Sequence, residues 1–249
     1  MLDKNLIYHG DCLEVMKDID DKSVDMILCD LPYGTTVCKW DTVIPFEPLW
    51  KQYKRVIKDN GAIVLFGSEP FSSRLRCSNL GWYRYDWIWV KENSTGFINA
   101  HCQPLKIFES ISVFSKSKAV PSAIDKMQYY PQGLTDYNKI TKRGSGGDTY
   151  NQQTIKKENF QRYTNYPTNI LYFQRDKNKL HPTQKPVALF EYLIKTYTNE
   201  GELVLDNCIG SGTTAIACLN TNRNFIGIEK ELKYIQIANQ RIQSWLQKE

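Results

Sequence analysis

Residues 202–229, "ELVLDNCIGSGTTAIACLNTNRNFIGIE", decide the fold. A short apolar run, Leu203 to Leu205, ends in Asp206. Gly210 and Gly212 follow, Thr213 and Thr214 open a helical stretch, and a second apolar run ends in Glu229. Strand, glycine turn, helix and strand in that order make a βαβ unit. The glycines allow a sharp turn and let a ligand approach the backbone. Open α/β sheets bind ligands at the carboxyl ends of their strands, where Asp206 stands. A carboxylate ending the next strand, Glu229, is placed to accept hydrogen bonds from the two hydroxyls of a ribose. Ala215 stands where a third glycine would complete the dinucleotide fingerprint, and there is no P-loop lysine. An adenosine with a small charged tail suits this loop better than a pyrophosphate. A tight strand–helix connection that binds nothing would read the same way.

The same alternation runs through the rest of the chain. "NLIYHGDCLEVMKDID" (residues 5–20) reads as a short strand and a helix, and "SVDMILCD" (23–30) as a strand buried on both faces. "PFEPLWKQYKRVIK" (45–58) reads as a helix with Leu49, Tyr53 and Ile57 on one face, ended by Asn60-Gly61. "AIVLFGS" (62–68), "RYDWIWVK" (84–91) and "ESISVFSK" (109–116) read as strands, and "PFSSRLRCSNL" (70–80) as a helix closed by Gly81. Pro182 and Pro186 precede an amphipathic helix, and strand–helix alternation then continues to Leu246. The expected fold is a doubly wound, mostly parallel α/β sheet.

Between these halves the character changes. From Pro121 to Tyr172 there is little apolar periodicity, many tyrosines, and the glycine-rich tract "KRGSGGDTY" (142–150), which reads as a flexible loop. Twelve Lys and Arg face five acids between Lys116 and Leu180, an excess of seven, against +5 for the entire 249-residue chain. A local basic region on a near-neutral body is the footprint of a phosphate-bearing partner, although a solvated lysine-rich loop has the same composition. The expectation is an inserted target-recognition module at 116–175, with 1–115 and 176–249 forming the main domain.

The stretch "DLPYG", residues 30–34, ends an apolar strand with a carboxylate, a proline and a tyrosine. Pro32 biases Leu31 to an extended conformation. The Asp30 carboxylate and the Leu31 carbonyl can then point the same way, a pair of acceptors suited to an amino group with two hydrogens to donate. Tyr33 offers a flat ring on which a heterocycle can stack. An exocyclic amine on a nucleic-acid base meets both requirements, once the base is out of the duplex stack.

These motifs resemble the amino DNA methyltransferases. Asp30-Leu31-Pro32-Tyr33 is similar to their Asp/Asn/Ser-Pro-Pro-Tyr tetrapeptide, "DNCIGSGTT" (206–214) to their S-adenosylmethionine loop, and "HPTQKP" (181–186) to the segment that precedes it. Tetrapeptide, basic insert, HPTQKP and glycine loop, in that order, resemble the β group, a circular permutation of the usual methyltransferase sheet. The resemblance implies that Asp30, Leu31 (through its carbonyl), Pro32 and Tyr33 hold the target base. It implies that Asp206, Cys208, Gly210, Ser211, Gly212 and Thr213 surround the methionine part of S-adenosylmethionine, that Glu229 binds its ribose, and that Asp11 lies near its adenine. Thr183, Gln184 and Lys185 match the segment that helps hold the cofactor carboxylate, and Asp30 also borders the cofactor. Leu31 replaces the first proline, and Asn207-Cys208 replaces a common Pro-Phe pair.

The implied activity is methyl transfer to N6 of adenine in a short duplex DNA site, by base flipping and direct in-line attack. An aspartate at the first position goes more often with adenine and a serine with cytosine. Transfer to N4 of cytosine, or an inactive DNA-binding module that keeps the motifs, are the alternatives. Cys29 is read as a strand residue, since the Pro-Cys dipeptide of carbon methylation is absent. The three histidines lie far apart and lack acidic companions at metal-ligand spacing, so no metal site is expected. Trp82, Trp87 and Trp89 read as core. No run approaches the ~18 apolar residues of a membrane span, and no basic-then-apolar leader opens the sequence. The seven cysteines form no C-x-x-C pair, which points to reduced thiols and a cytoplasmic setting. The sequence leaves open a homodimer and a cognate restriction endonuclease.

Overall fold

Nearly continuous apolar runs form the central strands. The computed structural model describes residues 2–36, 38, 41–142, 158–176 and 184–247. Most of the glycine tract, and His181, Pro182 and Thr183 of HPTQKP, lie outside the described residues. Strand β1 (Leu6–His9) leads to a one-turn helix α1 (Cys12–Val15), and β2 (Val24–Cys29) is buried at all six positions. Helix α2 (Phe46–Val56) buries Leu49, Trp50, Tyr53 and Val56, the one-sided stripe its spacing prescribes. After it come β3 (Ile57–Gly67), α3 (Phe71–Ser78), β4 (Tyr83–Thr95) and β5 (Lys106–Phe114).

Several boundaries differ from the sequence reading, two of them at glycines. Helix α2 stops at Val56, and Asn60-Gly61 lies inside β3. The register shifts there, Val24 pairing with Ile57 but Met26 with Ala62. A Cβ on Gly61 would stand 2.6 Å from the Asp25 carbonyl oxygen, so this glycine serves close strand approach instead of a helix stop. Helix α3 ends at Ser78, capped by Asn79, ahead of Gly81.

The chain divides into two compact units, one of residues 1–130 with 169–249, the other of 131–168. The second is narrower than the 116–175 segment expected from composition. Met127 is buried in the larger unit's core, and β8 (Ile170–Tyr172) pairs with β4 in its sheet. Apolar anchors of this kind are too sparse for composition to reveal. The smaller unit contains a two-stranded antiparallel sheet of β6 (Thr135–Lys142) and β7 (Glu158–Thr164).

The larger unit is completed by α4 (Val187–Tyr197), β9 (Leu203–Asp206), α5 (Thr213–Asn220), β10 (Asn224–Glu229) and α6 (Leu232–Leu246). Its eight strands lie in the order β1-β10-β9-β2-β3-β5-β4-β8, with β1 through β3 in that list all parallel. Strand order reverses between β9 and β2, the position at which open α/β sheets bind ligands. Helices cover both faces. Leu189, Phe190 and Leu193 of α4 and Ala215 and Ala217 of α5 pack on one, and Leu49, Tyr53 and Leu75 of α2 and α3 on the other. Ile27, Leu28, Val64 and Leu205 are fully buried, each contributing about 1.5–3 kcal/mol of transfer free energy.

Candidate active site

Four adjacent parallel strands each deliver one acid to the same edge of the sheet. In register, His9 stands beside Glu229, Gly227 beside Asp206, and Ile27 beside Leu205. The carboxyl ends of β10 and β9 and the segments leaving β1 and β2 therefore carry Glu229, Asp206, Asp11 and Asp30 into one cavity of about 730 Å³.

The glycine turn is held by its own acids. Asp206 is 3% exposed; its Oδ1 accepts from the Cys208 N–H at 3.1 Å and its Oδ2 from the Thr214 hydroxyl. Glu229 Oε2 accepts from the Gly210 N–H at 2.9 Å and Oε1 from the Glu231 N–H at 2.8 Å. Gly210 (φ +54°) and Gly212 (φ +83°) both take the left-handed conformation. Gly210, Ser211, Thr213 and Cys208 line the cavity; Gly212 does not. A Cβ on Gly212 would stand 2.8 Å from that of Ala238, so it serves close packing of the loop on α6. Asp11 Oδ1 caps α1 by accepting from the Leu13 N–H at 2.9 Å.

Residues 30–33 line the same cavity, from its β2 side. The Tyr33 hydroxyl donates to Asp30 Oδ1 at 2.6 Å. One face of the Tyr33 ring packs on Phe71, centroids 5.1 Å apart. Gln184 and Lys185 also line the cavity, while Thr183 lies outside the described residues.

Known proteins place this constellation. Residues 24–240 match the model of the DNA methylase family that comprises N6- and N4-type enzymes. The chain belongs to this family. The type II methyltransferase M1.MboII of Moraxella bovis is 30% identical over 96% of this chain and 96% of its own. The DNA adenine methyltransferase YhdJ of Escherichia coli (strain K12) is 27% identical over 95% of this chain and 82% of its own. The crystal structure of the M1.HpyAVI–SAM complex superposes with a TM-score of 0.60 at 29% identity, covering 94% of this chain and 98% of that one. The protein is an amino DNA methyltransferase of the β group, with the permuted order of tetrapeptide before glycine loop.

The cofactor of this family is S-adenosylmethionine, and the cavity of this methyltransferase fits it. A nucleoside with a charged tail needs concavity, backbone exposed at glycine and acceptors for ribose hydroxyls. Gly210 supplies the exposed backbone, and the Glu229 carboxylate, which lines the cavity, has acceptor capacity for ribose hydroxyls.

Burial sets the electrostatics of the site. It pushes Asp206 up to about 7 despite the Thr214 and Cys208 donors, and pushes Glu229 up as well. It pushes the Cys29 thiol up to about 12, so no thiolate stands beside the tetrapeptide. Trp87 and Trp89 are buried as expected, Trp89 donating to the Phe173 carbonyl at 3.0 Å.

Three features escaped the sequence reading. Glu109 and Lys91, from β5 and β4, line the cavity and join Lys185 and Asp30 in a run of ion pairs. Asp41 accepts the N–H groups of Gly34, Thr35 and Thr36 at 2.7–2.9 Å, fixing the loop after Tyr33. Burial alone would raise its pKa, but these donors hold it below the usual range. Tyr53 donates to Asn207 Oδ1 at 2.5 Å, tying α2 to the glycine turn. The alternation of β4 and β5 offered a signal for Lys91 and Glu109, charged residues inside apolar strands; Asp41 carried none.

Proposed function

We propose that this methyltransferase transfers a methyl group from S-adenosylmethionine to N6 of adenine in a short duplex DNA site, acting on a base flipped out of the stack. The observation that carries this reading is the shared cavity of Asp30 and Tyr33 with Gly210 and Glu229. The cofactor, when bound, supplies an electrophilic methyl on a sulfonium. Asp30 and the Leu31 carbonyl accept the two hydrogens of the target amine, which turns its lone pair out of the ring. Pro32 keeps Leu31 extended so that its carbonyl stays aimed. Tyr33 packs against the base and orients Asp30 through its hydroxyl. Holding the amine in line with the methyl supplies much of the acceleration. Asp30 is the nearest acceptor for the proton that leaves. Aspartate at the head of the tetrapeptide favours adenine over cytosine in this family, and the relative YhdJ carries adenine in its name.

The smaller unit reads as the DNA-recognition module. Its hairpin exposes Ile140 and Phe160, and sets Lys139 over the Tyr137 ring and Arg162 over the Tyr163 ring at 5.1 and 5.0 Å. Cations beside aromatic faces suit phosphates and bases.

The test is incubation of the purified protein with methyl-labelled cofactor and unmethylated DNA, then digestion to nucleosides and chromatography. Label in N6-methyladenosine is expected. Label in N4-methylcytosine overturns the base assignment, and cofactor binding with no label in DNA overturns transfer.

A further inference from the structure

Lys185, 6% exposed, is held between two acids. Its Nζ donates to Asp30 Oδ2 at 2.5 Å and stands 3.3 Å from Glu109 Oε2. Glu109 Oε2 is buried and forms an ion pair with the Lys185 ammonium. Glu109 Oε1 accepts from Lys91 Nζ at 3.5 Å, and Lys91 is also 6% exposed. Acid, cation, acid and cation thus alternate from Asp30 to Lys91 along the cavity wall. Burying any of these charges alone would cost several kcal/mol, so each needs its neighbour.

The alternation also sets how free Asp30 is. Both its oxygens already have donors, Tyr33 on one and Lys185 on the other. An ammonium bound outright to a carboxylate lowers its basicity and so weakens it as an acceptor for an amine. Lys185 has a second carboxylate within reach, and whatever hold Glu109 takes on the ammonium is lost to Asp30. We propose that Glu109 is a positioning residue for methyl transfer: by sharing the Lys185 ammonium it leaves the Asp30 carboxylate able to accept the target amine. This rests on Asp30 being the amine acceptor. It also moves Lys185 from the cofactor carboxylate, its place in the sequence reading, to the catalytic acid.

The groups facing Asp30 are Tyr33 and Cys29 from its own segment, Lys185 from the approach to α4, Glu109 from β5, Lys91 beyond it on β4, and Asp206 from β9. Burial pushes Asp30 up, Lys185 pulls it down and Glu109 pushes it up again, leaving it raised. Burial would raise Glu109 too, but Lys185 and Lys91 hold it below its ordinary value. Removing the Glu109 charge therefore lowers the pKa of Asp30, and removing a lysine raises it.

The experiment is single-turnover transfer of labelled methyl to unmethylated genomic DNA, from about pH 5 to about pH 9, with melting and cofactor titration as controls. Transfer needs ionised Asp30, and Asp206 is the same in every variant, so the displacement of the acidic limb between wild type and variant reports Asp30. Glu109→Gln should move that limb down by about one pH unit and lower the plateau, with cofactor affinity kept within about twofold. Glu109→Asp should restore both. Lys185→Met should move the limb up by a similar amount. If Glu109→Gln does not fold, Lys91→Met decides, with an upward shift expected. A limb that stays in place in the folded Glu109→Gln protein, or moves the same way as in Lys185→Met, overturns the proposal. Lys91→Met used alone overturns it by leaving the limb unmoved. Transfer surviving in Asp30→Ala instead removes Asp30 as acceptor, a separate failure.

Discussion

Met26 of β2 pairs in parallel register with Val204 of β9, though they come from opposite ends of the chain. That pairing brings the segment after Cys29 beside the segment after Asp206. Every step of a direct transfer depends on it, because a methyl group passes only between atoms in contact.

Asp30→Ala should abolish transfer and leave cofactor affinity nearly intact, since Glu229 and Gly210 are untouched. Labelled-methyl incorporation and calorimetric cofactor titration measure the two separately. Incorporation near the wild-type level would remove Asp30 from the chemistry.

Glu229→Ala should weaken cofactor binding by roughly tenfold, about 1.4 kcal/mol, as ribose acceptors are lost and the Gly210 and Glu231 N–H groups lose their partner. Calorimetry reads this directly. Unchanged affinity would place the ribose elsewhere.

Asp206 gives a pH dependence of stability. Its pKa in the fold is about 7, above the ~3.9 of an unfolded aspartate. The folded chain holds a proton that the unfolded chain has released. The group's contribution is therefore complete below about pH 4 and fades as pH rises to about 7. Asp206→Asn removes this titration. The melting-temperature advantage of wild type over the variant should shrink as pH rises across that window. An advantage independent of pH would mean that Asp206 does not titrate there.

Lys139→Ala combined with Arg162→Ala should weaken binding to unmethylated duplex DNA and flatten the salt dependence by a slope of about 2, one for each lost phosphate contact. Fluorescence anisotropy across a salt series measures both. A slope equal to wild type would place the DNA on other residues.

Local sequence patterns specify the central parallel strands and the acids that end them. Asp30, Asp206 and Glu229 each close an apolar run, and the glycine turn sits between strand and helix; these are local patterns that neighbouring residues impose. Leu203–Asp206, Thr213–Asn220 and Asn224–Glu229 all follow from that short-range code. Tertiary structure alone decided what each residue faces. Gly212 meets Ala238 instead of the cavity, Gly61 meets Asp25 instead of ending a helix, and Met127 and Leu171 anchor segments that composition assigned to the insert. The charge run from Asp30 through Lys185 and Glu109 to Lys91 joins β2, β4, β5 and the approach to α4. No spacing rule links those positions, because their proximity arises from strand order, which burial of both sheet faces fixes only once the whole chain has folded.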